Sequence, residues 1–474
     1  WCSMGGGKLH DVDTPVLTPK GWRRIGDIKI GDKVIGRNGK PTKVTGVFPN
    51  GVKPNYKVEF NDGSWVHAGL EHLWSVSTPS NRTKYRTMST GQLIDAGLYD
   101  SVGNRKWSIP LVEPVEHSAK NLLIDPYLMG VLLGDGCIRT RGGTSLTTDG
   151  EIADNWPGHR VTEHESPGIV NLYFSDRGMR KSLREFNLIG KRSWEKHIPE
   201  QYFLGSIGQR LALLQGLLDT DGFPMENGGV EFSSTAELLA DGVVELVNSL
   251  GGIARKSKGR FTRHQGGIGR ESWRVNVKLP VQFKPFRLSR KLKNWIAPTK
   301  YQALRVLSKI TYSHDAESVC IRVAAEDCLY VTKDHIVTHN TGAMLTVIDR
   351  QLIMGDERPK LVLAPLLVAK TTWEDESLKW EHLRGIRVVP IVGNELERRR
   401  AMATKAEVYT TNYENLPWLV EYWGDRWPYE TVIADESTKL KSFRLKQGSV
   451  RAQALARVAH SKIKSFIELT GTPA

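Results

Sequence analysis

Cysteine is scarce: Cys2, Cys137, Cys320 and Cys328 are the only four in 474 residues, and no two form a CxxC pair. That argues against a disulfide framework and a zinc ribbon and fits a reducing, cytoplasmic setting. It leaves nucleophilic attack as the special role open to a cysteine. Long apolar runs are lacking too. No uncharged stretch approaches the ~18 to 20 residues of a spanning helix, so no membrane partner is expected. There is no initiator methionine or signal peptide, and the chain stops just after Leu469-Thr-Gly-Thr-Pro473, which reads as a fragment. The composition is ordinary for a globular protein, 39% hydrophobic and 25% charged. The length excludes one small module and predicts roughly three domains of ~150 residues.

Acidic residues are nearly missing from 251–300, where fourteen Lys and Arg face Glu271 alone, so this segment carries +13 of the chain's +14. Phe261, Trp273, Phe283, Phe286 and Trp295 are interleaved, and Arg274-Val-Asn-Val-Lys278 alternates as a strand would. Such a strand sets its charges on one face able to track phosphates, which points to double-stranded DNA, with Arg255, Lys256, Lys258, Arg274 and Lys278 as candidate contacts.

Met4-Gly5-Gly6-Gly7-Lys8 reads like the end of a phosphate-binding loop, but the Ser or Thr that should follow to hold Mg²⁺ is replaced by Leu9. The missing residue stands far downstream, where Thr341 opens an amphipathic stretch after His339-Asn340. Removing 9–340 restores Gly-Gly-Gly-Lys-Thr running into a helix. Leu361-Val-Leu-Ala-Pro365 follows as a buried-strand run, and Thr431-Val-Ile-Ala-Asp435-Glu436 as an apolar strand ending in two acids. Such a pair suits Mg²⁺ binding by Asp435 and orientation of a hydrolytic water by Glu436.

With Val408-Tyr-Thr-Thr-Asn-Tyr413 and Leu469-Thr-Gly-Thr-Pro473, this series resembles motifs I, Ia, Ib, II and III of superfamily-two helicases, nearest the Swi/Snf-type DNA translocases. The resemblance implies a partial α/β RecA-like lobe over 1–8 plus 341–474. Its ATP and Mg²⁺ would be held by Gly5, Gly7, Lys8, Thr341, Asp435 and Glu436, and the second lobe is missing.

The 332 residues between Lys8 and Thr341 have ends that resemble an intein. Asp13-Thr14-Pro15-Val16, Gly21-Trp22, Ile25-Gly26-Asp27-Ile28 and Gly31-Asp32-Lys33-Val34 match the N-terminal splicing block, and Ile336-Val-Thr-His339-Asn340-Thr341 the C-terminal one. Ala68-Gly-Leu-Glu-His72-Leu-Trp74 matches the second block, with Gly69 where the family commonly has Thr. Asn340 can cyclise onto its own carbonyl with help from His339, and His72 can protonate the amide leaving at the upstream junction.

Most inteins open with Cys or Ser. Leu9 cannot be a nucleophile, which leaves a dead intein or a class three intein, whose signature is an internal Cys linked to a Trp and a downstream Ser or Thr. Trp74, Cys320 and Thr341 supply all three. The resemblance therefore implies that Cys320 attacks the Lys8 carbonyl, with Cys328 as reserve. It also implies a monomeric insert that needs no cofactor for splicing.

Within the insert, Pro126-Tyr-Leu-Met-Gly130-Val-Leu-Leu-Gly134-Asp135-Gly136 and Leu213-Leu-Gln-Gly216-Leu-Leu-Asp219-Thr-Asp221-Gly222 are near-repeats. Two close-packed helices would bring Asp135 and Asp221 together to hold Mg²⁺ for DNA cleavage. The pair resembles LAGLIDADG homing endonucleases, and Lys196-His-Ile-Pro199 looks like their intervening block. Asp219 reads as an interface or auxiliary carboxylate.

The expected architecture is multidomain: residues 1–8 and 341–474 as host segments, 9–118 and 302–340 as an all-β Hedgehog/intein horseshoe, and 119–301 as an α+β endonuclease. The leading reading is a self-splicing intein in a phage-like helicase precursor. The competing one is a DNA-dependent ATPase, or translocase, that keeps a DNA-binding insert and never splices. A Hedgehog-like autoprocessing domain is disfavoured, because His339-Asn340-Thr341 has no purpose there.

Overall fold

Apolar and polar residues alternate over Pro41–Phe60 and Arg305–Val323, which form two antiparallel strands of twenty and nineteen residues. In the computed structural model their pairing runs from Leu307 opposite Phe60 to Val323 opposite Val44, with four register shifts that let so long a ribbon bend. The structure describes residues 9–78, 81–156, 159–264, 267–297, 303–325, 329–339, 355–366, 368–374, 385–435, 450–459 and 461–469, with a few isolated positions besides.

The ribbon belongs to an eight-stranded sheet that includes Lys33–Ile35, Leu73–Thr78, Asn81–Ser89 and Ser108–Ile109, with His10–Asp11 along the edge of Arg305–Val323. A four-stranded sheet runs Ile336–His339, Leu329–Thr332, Pro15–Thr18, Gly21–Arg24. Both sheets combine strands from the two ends of the insert, so neither end can complete its core alone. Val16, Ile25, Val34, Val44, Ile321 and Tyr330 close one apolar cluster, and Val58, Val66, Trp74, Val76 and Leu307 another.

The elements from Pro126–Gly134 to Ser289–Asn294 build a mixed α and β unit. Helices Pro126–Gly134 and Ile207–Asp221 start cleanly: the Asp125 carboxylate accepts from Leu128 N–H behind a proline in the first turn, and Ser206 forms a capping box with Gln209. They cross in backbone contact, because Gly130 and Gly216 lie face to face, each Cα 3.0 Å from where the other's Cβ would be. Each helix runs into a four-stranded antiparallel sheet, ordered 136–138, 144–149, 169–174, 160–163 in the first half and 222–224, 230–234, 267–278, 253–264 in the second.

Strands Val388–Pro390, Val408–Asn412, Lys360–Ala364, Thr431–Asp435 and Ser465–Leu469, in that order, form a parallel sheet. Leu361-Val-Leu-Ala364 is fully buried, as expected of a parallel strand covered on both faces. Among the described residues no helix is long and apolar enough to cross a membrane.

The crossing gives a direct test. Gly to Ala inside a helix ordinarily gains about 1 kcal/mol. A Cβ on Gly130 would instead fall on the Leu213 carbonyl oxygen, and one on Gly216 on that of Tyr127. Either substitution should cost about 1–3 kcal/mol, read as a lower thermal unfolding midpoint of the helix pair.

Candidate functional site: the junction and the paired helix ends

The residues beside the upstream junction are buried. Leu9 is 3% exposed, its carbonyl accepts from Gly69 N–H at 3.1 Å, and its side chain lies 2.7 Å from where a Cβ on Gly69 would be. The glycine that departs from the splicing-block pattern is therefore the one that makes room for Leu9. His10 opposes Val319 and Asp11 opposes Ser318. Continuing that antiparallel register by one residue sets Leu9 across from Cys320, the buried thiol of the long strand.

His72 is held from several sides. Its carbonyl accepts from Thr90 N–H at 2.9 Å, and its Nε2 makes a short hydrogen bond with Thr338 Oγ1, one residue before His339. The Trp74 ring sits 4.9 Å from the His72 ring, is fully buried, and donates from Nε1 to Thr90 Oγ1 at 3.0 Å. Trp74 thus orders His72 through Thr90 and by direct packing.

His10 and Thr338 are additions that the motif reading missed. His10 is fully buried, donates from Nδ1 to the His67 carbonyl at 2.6 Å, and packs with its ring 4.2 Å from that of His72, tilted by 52°. Burial pushes its pKa down to about 4, so the ring is neutral. The available signal was its adjacency to Leu9. Tyr330, also buried, stays protonated because of burial and the neighbouring Cys320. Lys8, Asn340, Thr341, Cys328, Gly5, Gly7 and Glu436, and the side chain of His339, lie outside the described residues.

The second site forms where the paired helices end. Asp135 and Asp221 come together: burial, and then the Asp135 charge, pushes the Asp221 carboxyl up to about 7, and Asp135 is also raised by burial. Two lysines complete the symmetry. Lys196 Nζ donates to the carbonyls of Leu132, Gly134 and Gly136 at 2.8–3.1 Å. Lys291 Nζ donates to those of Leu218, Thr220 and Gly222 at 2.6–3.2 Å. Each ammonium satisfies the orphan carbonyls of one helix C-terminus and sits by the acids, as the helix dipole favours. Burial brings Lys196 down to about 8, with Asp221 and Asp135 opposing. Asp219 is fully engaged elsewhere, accepting from Tyr127 O–H at 2.8 Å and from the Arg287 and Leu288 N–H groups.

The basic sheet divides by parity. Val275 and Val277 point into the core, so Arg274, Asn276 and Lys278 face the other way, joined by Arg255 opposite Asn276. Lys256 and Lys258 do not belong to that face, which corrects the sequence expectation. Lys256 pairs with Val275 and Lys258 with Trp273, so both point to the helix side. There Lys256 meets Glu237 and Asp241, Lys258 meets Glu271, and both lie over Trp273.

In the parallel sheet Asp435 ends its strand, accepting from Trp373 Nε1 at 3.2 Å, with its carbonyl held by Tyr413 O–H. Ligands of open parallel sheets bind at this carboxyl edge.

Comparison with known proteins adds sequence relationships. The family described as LAGLIDADG-like domain matches residues 208–278, so the chain carries a LAGLIDADG-like domain. Putative protein p41 of Acyrthosiphon pisum secondary endosymbiont phage 1 is 53% identical over 135 residues, 28% of this chain and 29% of that protein. The chain thus spans under a third of that relative. The replicative DNA helicase DnaB of Mycobacterium intracellulare is 28% identical over 450 residues, 87% of this chain and 73% of that protein. A crystal structure of the gp41-1 intein, in a form carrying three substitutions, is similar at 13% identity with a TM-score of 0.23, covering 70% of this chain and 98% of that one.

Three substitutions probe these sites. Gly69→Thr should destabilise the junction by about 1–3 kcal/mol through overpacking against Leu9, and Leu9→Ala should relieve most of it in a double-mutant cycle. Lys196→Met leaves three carbonyls without their shared donor and should cost about 1–3 kcal/mol in denaturant unfolding.

Proposed function

We propose that this chain is a self-splicing precursor: residues 9–340 excise themselves as a class three intein and join Lys8 to Thr341. The supporting observation is the register that sets Leu9 opposite Cys320, next to His10, His72 and Trp74. The Cys320 thiolate attacks the Lys8 carbonyl, and the C–N bond to Leu9 breaks as His72 delivers a proton to the departing nitrogen. Thr341 Oγ then takes the acyl group from sulfur, returning the thiol. Asn340 Nδ2 attacks its own carbonyl, forming a succinimide and freeing the Thr341 amine. That amine captures the acyl group from its own oxygen, leaving an ordinary Lys8–Thr341 peptide. Each step exchanges one acyl bond for another, so proximity and acid–base groups suffice without cofactor or metal.

The second activity is site-specific cleavage of double-stranded DNA by the LAGLIDADG-like unit. Asp135 and Asp221 fit a divalent ion, since each raises the cost of ionising the other until a cation offsets both charges. Mg²⁺ bound there would polarise a phosphate and activate water. Arg255, Arg274 and Lys278 hold the DNA backbone, and Lys196 and Lys291 fix the helix ends that carry the acids. After ligation, Lys8, Thr341, Asp435 and Glu436 would serve ATP and Mg²⁺ in a RecA-like lobe of a Swi/Snf-like helicase, of phage origin and acting in the cytoplasm.

Mass spectrometry of the expressed chain should find a 332-residue excised piece and a 142-residue ligated piece. Cys320→Ala should leave the 474-residue precursor uncleaved before Leu9, and an unchanged product pattern would refute the assignment. Asp221→Asn should abolish double-strand cleavage while DNA is still bound. Arg274→Ala or Lys278→Ala should each weaken binding across all sequences and reduce the salt dependence by about one phosphate contact. Lys258→Ala should change neither.

A further inference from the structure

Beside the junction, and unused by the chemistry above, three metal-ligating side chains converge from three strands. Asp11 follows Leu9 by two residues, His67 lies on Trp65–Ala68, and His314 lies on the strand that carries Cys320. Their ligand atoms all fall within 4.8 Å of one another. His314 Nε2 is 3.1 Å and His67 Nδ1 3.9 Å from Asp11 Oδ2. A tetrahedral ion with metal–ligand bonds of ~2.0–2.1 Å has ligand–ligand edges of about 3.3 Å, so the His314–Asp11 edge already fits and no other edge needs to close by more than about 1.5 Å.

The surroundings favour binding. Ser313 Oγ hydrogen-bonds to the outward nitrogens of both rings, His67 Nε2 at 3.2 Å and His314 Nδ1 at 3.0 Å. One hydroxyl thus orients both imidazoles, leaving His67 Nδ1 and His314 Nε2 turned toward the carboxylate, as outer partners of metal-bound histidines do. Asp11 Oδ1 is anchored by Asp13 N–H at 2.9 Å, which leaves Oδ2 aimed at the rings. The nearby cations Lys57 and Lys333 are paired with Glu59 and Asp334. His314 is 43% exposed at its side chain, which gives an ion a way in and room for a water as fourth ligand.

We propose that Asp11, His67 and His314 form a binding site for a divalent transition ion of the zinc type, the class that a two-imidazole, one-carboxylate set selects. Occupancy joins the first strand after the junction, the strand leading into Gly69 and His72, and the strand of Cys320. The ion therefore holds Leu9 in register with the thiol. It also reaches His10, because the His67 carbonyl accepts the His10 Nδ1 proton.

The test titrates Zn²⁺ into the full chain carrying Cys137→Ser, which removes the thiol exposed among the described residues, and Asp221→Asn, which removes the paired-acid site at the helix ends, and records Co²⁺ spectra in parallel. One ion per chain is expected, with affinity falling about tenfold or more in His67→Ala, His314→Ala and Ser313→Ala. The exposed His314 and Ser313 can be changed without disturbing the core, and circular dichroism checks this. Zinc uptake that survives both histidine substitutions, a Co²⁺–thiolate charge-transfer band, or no uptake at all overturns the site. The three residues stay together in precursor and excised piece alike, so failure of splicing is read separately, from product masses.

Discussion

The pairing of Pro41–Phe60 with Arg305–Val323 is the constraint on which the rest depends. The proposed excision requires groups at residues 8, 72, 320 and 340 to meet, although more than 300 residues separate the outermost. The strand pair brings the two ends of the insert into one sheet, and the strand Leu329–Thr332 repeats the device by lying between Ile336–His339 and Pro15–Thr18. In the His72 cluster the bond to Thr338 joins early and late sequence, while Trp74 and Thr90 hold the ring from the early side. Interleaving also makes the site cooperative. A loss of packing at Trp74 or Val58 loosens both halves, so the chemistry is tied to the fold rather than to a local loop.

The LAGLIDADG-like unit solves a different problem, that of setting two carboxylates side by side at the ends of two helices. Each helix ends in carbonyl oxygens that carry partial negative charge, so adding an acid there is unfavourable. Lys196 and Lys291 answer both charges at once. Their burial costs hydration, which lowers the Lys196 pKa, and three carbonyl acceptors around each ammonium offset that cost. The helix pair is related by approximate symmetry at Gly130 and Gly216, but Asp219 has no acidic counterpart. Its equivalent is Leu133, and its carboxylate is spent on Tyr127 and the Arg287–Leu288 backbone. The asymmetry is structural, fastening the chain segment that delivers Lys291.

How much of this was legible in the sequence depended on whether the signal was local. The near-repeat ending in Asp135 and Asp221 shows up because helix spacing and glycine contacts are periodic, and the β character of the ends shows in turn glycines and alternation. The role of Lys291 is hidden, because its position ninety-five residues after Lys196 carries no pattern of its own and was submerged in a basic segment. Lys256 and Lys258 were misread for a related reason. Charge counting ignores strand parity, which depends on which neighbours are buried, and only the cross-strand partners Val275 and Trp273 reveal it. Gly69 looked like a defect in a motif because its meaning lies in Leu9, sixty residues earlier. His10 carries no motif spacing beyond its adjacency to Leu9, and burial beside His72 is what makes it notable.

The point of insertion explains how one chain tolerates a second activity. Ser108 and Ile109 pair with Val306 and Arg305, so the chain leaves the splicing unit and returns to it at adjacent, hydrogen-bonded strands. Replacing a ten-residue hairpin by the intervening stretch of nearly two hundred residues is roughly four doublings of loop length, about 2–3 kcal/mol of closure entropy. A folded insert with close ends incurs less. Against that stand the Val115 N–H to Ser249 carbonyl bond, the Trp22 indole on Glu245, and fully buried Arg210, which donates to Val115 and Ser249. These contacts dock the two units without entering the His72 cluster. The cost of carrying the endonuclease is therefore met at its own boundary, and the geometry around Leu9 and Cys320 is set by strands that the insertion does not interrupt.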